Sequence, residues 1–461
     1  MRLTDALRLR PGMRAAFVGA GGKSAALACL AREGAGAWPV VLTTSTRIAR
    51  DQSGLAANHR IVLKRQDLDS LRPLMERNES ILVTGPLTDS DSKWQGLDDP
   101  LLEKLAEEVQ RAGGILAIEA DGARGRSLKV PAAHEPCIPG FVDLVAPLVG
   151  IDAFGTTTFG GWVHRPDDLS RFLGLPPGGR ISEEALVQVL TSREGALKGV
   201  PDQAEVRPIL NKVEDPSRLE TAENVARRML GREGLQAPVG STSPLQPGRI
   251  QAVLACHLAG EEPVRAVWGR IAAVVLAAGG SSRLEQPKPL LRFRGRPLVL
   301  YAVEAALAAG LHPVTVVVGH ASEEVRRVLL DISPIRVVEN HEWTAGQSSS
   351  VRLGLENVEP GIEAVVFFLA DMPFVSAATV RRLIERHQTR LTAIVAPASG
   401  EHRGNPVLFD RSVFPGLRSL TGDTGGRVLF ARFAVDEIAC DESELMDVDT
   451  PGDVERLWTM E

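Results

Sequence analysis

Residues 271–280, IAAVVLAAGG, constrain the fold more than any other stretch. A β-branched apolar run breaks there into small residues and two glycines, and Arg283 and Lys288 follow. Such a run suits a buried strand. The glycines mark a turn that an anion can approach closely, because no Cβ intervenes and backbone N–H groups can face it. A second instance stands near the start, where RAAFVGAGGKSAALACLA (14–31) reads as an apolar strand, a glycine loop, Lys23-Ser24 and a helix. Each instance heads a long stretch in which apolar strands alternate with amphipathic helices. The pattern predicts an α/β protein with two doubly wound, Rossmann-like domains, 1–260 and 270–461. Residues 261–269 carry Pro263 and adjacent acids with little periodicity, and are expected to be a linker.

Length agrees, since 461 residues exceed one ordinary core. Hydrophobic content of 44% and charged content of 24% are those of a soluble globular protein, expected in the cytoplasm, without the ~20-residue apolar run of a membrane span. The start, MRLTDALRLRPG, lacks the apolar region of a signal peptide. A net charge of -6 argues against nucleic acid as a partner. Four cysteines lie far apart without metal-ligand spacing, which predicts reduced, structural thiols. Arginine has displaced lysine, 44 to 8, and Lys288 is the only lysine after Lys212. A compact ammonium retained there suits a phosphate.

In the second block, strands are expected near 271–277, 313–318, 364–370 and 392–396. Helices are expected near 297–309, 321–331, 347–357, 376–388 and 451–458, with Pro297 in a first turn and Gly310 just past a helix end. The polar motifs fall at strand C-terminal ends, where open α/β sheets bind ligands. Asp371 follows AVVFFLA and is placed either to hold a divalent ion or to cap the next turn. Asp449, in DVDTPGD, is either a second metal ligand or part of a helix start led by Pro451, and Asp447 could replace it. Ser348, Ser349 and Ser350 precede an apolar-periodic stretch and are expected at a helix N-terminus. His402, Arg403 and Asn405 stand just before an apolar VLF.

VVLAAGGSSRLEQPKPLL (274–291), GQSSSVRLGL (346–355), FLADMPFV (368–375), HRGNPVLF (402–409), LTGDTGGR (420–427) and DVDTPGD (447–453) occur in order. Together they resemble the MobA-like NTP transferase family of molybdenum-cofactor maturation, with the cytidylyltransferase branch the nearest. The family usually has Met-Gly after the arginine, where this chain has Leu284-Glu285. The resemblance implies a nucleotide-diphospho-sugar-transferase-like fold that transfers CMP from CTP to molybdopterin and releases pyrophosphate. It implies nucleotide contacts from Leu276, Ala277, Ala278, Gly279, Gly280, Ser348, Ser349 and Ser350. It puts Arg283, Lys288 and Asp371 at the reacting phosphates, Mg2+ on Asp371 and Asp449, and Arg403, Asn405 and Asp423 on the substrate side. LAAG rather than LAGG resembles the cytidylyl branch. Guanylyl or sugar-phosphate nucleotidyl transfer, and a non-catalytic cofactor-binding chaperone, are the other readings.

In the first block, Gly19, Gly21, Gly22, Lys23 and Ser24 form a P-loop-like arrangement, although Phe17 stands where a P-loop has glycine. A plain strand-turn-helix is the alternative. GGILAIEADGAR (113–124) ends a strand in Glu119 and Asp121, the latter a candidate Mg2+ carboxylate. RPILNKVED (207–215) ends one in Asn211-Lys212, like the guanine-reading NKxD loop, with Glu214 in the place of its aspartate. With LTTSTRI (42–48) and EADGARGRSLKVPAAHEPCIP (119–139), these segments resemble the selenium-dependent hydroxylase accessory (YqeC-like) family. The glycine loop, Asp121 and the Asn211-Lys212 segment point to GTP or ATP in this domain, and an NTPase or nucleotide-gated maturation role, with an apo molybdenum hydroxylase as a partner, is inferred. His134-Glu135 has no partner histidine at helical spacing, so a metal there is not expected.

Overall fold

The computed structural model describes residues 1–88, 92–231, 246–280, 284 and 286–459. They fall into two compact units, Met1–Trp268 and Gly269–Glu461. Both are α/β.

Unit 1 is built on parallel strands: β1 (Arg14–Gly19), β2 (Val40–Thr44), β3 (Asn58–Ile61), β4 (Ser80–Thr84), β5 (Ile115–Glu119), β6 (Leu144–Gly150), β7 (Ile209–Asn211) and β8 (Ala252–Cys256). Their order across the sheet is β3-β4-β2-β5-β1-β6-β7-β8, every neighbour parallel. The central strands are buried along their whole length, which is why they read as continuous apolar runs rather than alternating ones. Helix α1 (Lys23–Gly34) starts directly behind β1. Between them the backbone takes positive φ at Gly19, Gly21 and Gly22. Gly22, at φ 139°, is the helix N-cap, and an added Cβ there would lie 2.2 Å from Asn211 Nδ2. The turn therefore needs glycine for both conformation and space.

In unit 2 the strands are β9 (Val264–Ala277, of which 269–277 fall in this unit), β10 (Val314–Val318), β11 (Arg336–Glu339), β12 (Ile362–Leu369), β13 (Ile394–Ser399), β14 (Val407–Asp410) and β15 (Val435–Ala439). The sheet runs β11-β10-β9-β12-β14-β13-β15, with β14 antiparallel to both neighbours and the rest parallel. Helices α2 (Leu298–Ala308), α3 (Gln347–Glu356), α4 (Ala377–Arg390) and α5 (Pro451–Thr459) complete what concerns the site. Successive residues of a strand point to opposite faces, and β9 shows the consequence. Ile271, Ala273 and Val275 pack in one core with Val299 and Val303 of α2 and Leu383 of α4. Ala272 and Val274 pack in another with Val351 and Leu355 of α3.

Expected and observed elements differ in three places. The stretch 261–269 is not a bare linker, because β9 begins at Val264, and Val264, Ala266 and Trp268 are buried. Its apolar residues are interrupted by Arg265 and end against Gly269, too short a run to be read as a strand by itself. Strands β11, β14 and β15 were not expected; each has four or five residues and mixes charged with apolar side chains. Pro297 is the N-cap of α2 rather than its first residue, while Gly310 takes φ 79° just past its end. Among the described residues no helix is long and apolar enough to cross a membrane. All four cysteines are free, with Cys29 and Cys256 buried.

Candidate functional site

The glycine turn at the end of β9 floors a cavity of roughly 770 Å³ in unit 2. Leu276, Ala277, Ala278, Gly279 and Gly280 line it, together with Lys288, Trp343, Gln347, Ser350, Asp371, Asp423, Asp447 and Asp449. An added Cβ at Gly279 would meet no protein atom within 4 Å, whereas at Gly280 it would lie 2.8 Å from the Trp343 ring. One glycine is thus needed for packing, and the other faces open space.

Asp371 follows the end of β12, next in the sheet to β9, and its neighbour Ala370 donates its N–H to the Leu276 carbonyl. Strand pairing therefore fixes the carboxylate beside the glycine turn. Lys288 bridges two carboxylates, with Nζ 3.4 Å from Asp371 Oδ2 and in contact with Asp449 Oδ1. Burial opposes the lysine's charge, but the Asp449 and Asp371 carboxylates outweigh it and hold the ammonium's pKa above its usual value. Burial also pushes the Asp371 carboxyl up against the pull of Lys288, and it pushes Asp447 up, helped by Asp449. Asp371 Oδ1 is shielded from water and has no hydrogen-bond partner.

An orphaned carboxylate oxygen in a cavity with four acids and, among the described residues, one lysine fits a divalent cation. Among the described residues no group of three or more His, Cys, Asp or Glu side chains is arranged to hold a metal. A metal here would therefore be held by one or two carboxylates, with water and substrate oxygens completing its shell, as Mg2+ is. Asp449 contacts Lys288, and the next residue, Thr450, begins the turn that leads into Pro451 at the head of α5.

The remaining expected residues divide. Ser348, Ser349 and Ser350 lie in the first turn of α3, and only Ser350 lines the cavity. Asn340 Nδ2 donates to Ser349 Oγ at 2.8 Å and to Ser350 Oγ at 2.9 Å, while Ser349 Oγ donates to the Gly346 carbonyl. Ser349 and Ser350 thus form a buried tie that holds the start of α3. Asp423 accepts from Gln347 N at 3.2 Å and lines the cavity. Asn405 lines a smaller cleft of roughly 180 Å³ that shares Leu276, Gln347, Leu369 and Asp447 with the larger one. Arg403 is among the lining residues of neither; Glu437 holds its guanidinium, and His402 beside it is exposed. Arg283 lies outside the described residues. Trp343, Gln347 and Asn340 were missed by sequence reading, and a lone Trp and Asn after a short strand give little signal.

Unit 1 holds a cavity of roughly 890 Å³ at the turn before α1, lined by Gly21, Gly22, Lys23 and Ser24. Among the described residues, Arg47, Lys93, Arg124, Arg126, Lys212 and Arg218 bring its cations to seven, against the three carboxylates of Glu119, Asp152 and Glu214. Asp121, the expected metal carboxylate, is not among the lining residues. It accepts from Gly19 N at 2.9 Å and pairs with Lys23 at 3.1 Å and Lys129 at 3.0 Å, all buried. Its charge is spent on shaping the turn. Asn211, Lys212 and Glu214 all line the cavity, and each is engaged with a protein partner. Asn211 Nδ2 donates to the Gly21 carbonyl at 2.7 Å and its Oδ1 accepts from Leu258 N, so it braces the turn. Lys212 is held by Asp152 at 2.7 Å, and Glu214 by Arg218 at 2.9 Å. Glu135 pairs with Lys129 and Arg165.

An α/β sheet carrying a glycine turn, a lysine and strand-end carboxylates in one cleft has the form of a nucleotidyltransferase domain. Residues 273–438 match the MobA-like NTP transferase domain, and residues 15–167 match the YqeC protein family. The chain belongs to both families, joined in one polypeptide. It is 36% identical over 197 residues to nicotine blue oxidoreductase of Paenarthrobacter nicotinovorans, covering 41% of this chain and 96% of that one. It is 30% identical over 192 residues to the uncharacterized protein YqeC of Escherichia coli K12, covering 40% of this chain and 70% of that one. Among solved structures, Rv0371c of Mycobacterium tuberculosis is 35% identical, with 41% of this chain and 98% of that one covered and a TM-score of 0.38.

Proposed function

We propose that unit 2 transfers CMP from CTP to the terminal phosphate of molybdopterin and releases pyrophosphate, and that unit 1 is a nucleotide-binding maturation domain for a molybdenum hydroxylase. The observation that carries the transferase reading is the acidic cavity itself: Lys288 lies between Asp371 and Asp449 beneath a glycine turn that is open at Gly279. Four carboxylates around one described lysine would repel a bare triphosphate, so the cavity suits a triphosphate that arrives with a divalent cation.

Asp371 and Asp449 would hold that cation, with Asp447 in reserve, and its chemistry would be charge neutralisation at the phosphates. The backbone of Ala278, Gly279 and Gly280 lets the triphosphate lie close to the sheet edge. An oxygen of the acceptor phosphate forms a bond to the α-phosphorus, and the bond from that phosphorus to the bridging oxygen breaks. Pyrophosphate leaves with the electron pair. Lys288, kept protonated by its two aspartates, sets a positive charge where negative charge develops. The acceptor is already an oxyanion near neutral pH, so no strong base is required of His402. The adjoining cleft at Asn405 is the place for the acceptor, and Arg283 would add a second cation.

The test is pyrophosphate release from each of the four nucleoside triphosphates with molybdopterin and Mg2+. Turnover with CTP alone is expected. Turnover with GTP would move the reading to guanylyl transfer. A relative whose name denotes an oxidoreductase is similar over nearly its whole length, so NAD(P)H oxidation without pyrophosphate release would favour redox chemistry instead.

A further inference from the structure

The reading of unit 1 as a nucleotide site leaves one side chain without a task. Glu119 is the last residue of β5, in register with Phe17 of β1 and Thr44 of β2, and so stands beside the glycine turn at the centre of the sheet. It lines the cavity, it is only 9% exposed, and its Oε2 has no hydrogen-bond partner. Its Oε1 lies 3.8 Å from Lys23 Nζ. The two other carboxylates of the cavity are engaged, Asp152 with Lys212 and Glu214 with Arg218. Nearby Asp121 is fully taken up by Gly19, Lys23 and Lys129. The N-terminus of α1 carries no side-chain cap, so the first N–H groups behind Gly22 remain for an anion.

We propose that unit 1 hydrolyses the nucleoside triphosphate it binds, with Glu119 taking the proton of the attacking water. This rests on the nucleotide-binding reading of the same cavity. The water oxygen forms a bond to the terminal phosphorus, and the bond from that phosphorus to the bridging oxygen breaks. The bridging oxygen keeps the electron pair on the departing nucleoside diphosphate, and the water's proton passes to Glu119 Oε2. Lys23, the α1 N-terminus and the arginines that line the cavity stabilise the charge on the phosphates. Glu119 Oε2, buried beside the glycine turn without a hydrogen-bond partner, is placed to accept that proton.

The experiment uses the full chain, with MgATP and MgGTP and no pterin acceptor. Inorganic phosphate is measured without pyrophosphatase, so that pyrophosphate from unit 2 is not counted. Binding is measured separately with the β,γ-imido analogues. The wild type should release phosphate, and Glu119→Gln should slow release by at least ~100-fold while binding the analogue within about 3-fold of wild type. Should Glu119→Gln fail to bind, Glu119→Asp decides: a loss of at least ~10-fold in release with binding intact supports the proposal, and a wild-type rate overturns it. Binding without phosphate release in the wild type, or wild-type release from Glu119→Gln, would overturn hydrolysis and leave the nucleotide reading standing. No binding of either analogue to the wild type would remove both.

Discussion

The two cavities start from the same device and end with opposite charge. In each, an apolar strand runs into a glycine turn at its C-terminal end, with a lysine close behind. Among the described residues, seven cationic side chains face three carboxylates at the turn of unit 1, and one lysine faces four aspartates at that of unit 2. The lysines differ too. Lys23 is buried, with its ammonium on the Gly19 carbonyl and Asp121, and it begins the helix behind the turn. Lys288 belongs to a separate short helix and reaches back to the strand-end carboxylates. On the described residues the first cavity is cationic and the second acidic, and on the proposed reading a polyanion enters the first on the protein's own charge and the second together with a cation. A glycine turn alone therefore says little about chemistry; the side chains from neighbouring strands decide it.

The largest expected effect tests that asymmetry. Lys288→Ala removes the one described cation lining its cavity and should cut pyrophosphate release by at least ~100-fold with the fold intact. Lys23→Ala removes one of seven and should weaken nucleotide binding to unit 1 by only about 10-fold, with transfer unchanged. Equal losses in the two assays would break the contrast.

Next, Asp371→Asn should cost more turnover than Asp449→Asn, on the order of 100-fold against about 10-fold. Asp371 has the orphaned oxygen and a strand-fixed position, while Asp449 is more exposed and has Asp447 beside it. Equal turnover numbers for the two variants would remove that ranking.

How much of this was legible follows from where the information lies. Asp371 and Lys288 could be read because each ends or follows a strong local pattern, an apolar run or a glycine turn. The tie from Asn340 to Ser349 and Ser350, and the clasp of Asp121 by Lys23 and Lys129, are contacts between segments distant in sequence. No spacing rule marks them. Arg403 and Glu437 show the same limit, since the two exposed side chains pair across the intervening strand β13, a contact that no local pattern marks. The short strands β11, β14 and β15 are held by their places in the sheet rather than by their own pattern.

Asn211→Ala separates bracing from ligand reading. It leaves the Gly21 carbonyl and the Leu258 N–H without their partner and should cost unit 1 about 1–3 kcal/mol, seen as a lower thermal midpoint of its transition. A variant with unchanged stability but altered base preference would restore the base-reading role. The smallest effect concerns Glu135. Burial opposes its charge, but Arg165 and Lys129 outweigh this and hold its pKa at about 2. Its contribution should be complete above its unfolded pKa of ~4.3 and fade as pH falls towards 2. The stability gap between wild type and Glu135→Gln should therefore narrow over that range. A gap that widens with acid would reverse the sign.

The central claim, that unit 2 is a transferase whose acidic cavity works only with a divalent cation, is tested most directly by metal titration. Pyrophosphate release from CTP and molybdopterin would be followed in the full chain, first stripped with EDTA and then titrated with MgCl2. The account predicts release at least ~1000-fold lower without metal and a saturable rise as it is restored. Release that ignores the chelator, or no release from any nucleoside triphosphate at saturating Mg2+, would contradict it.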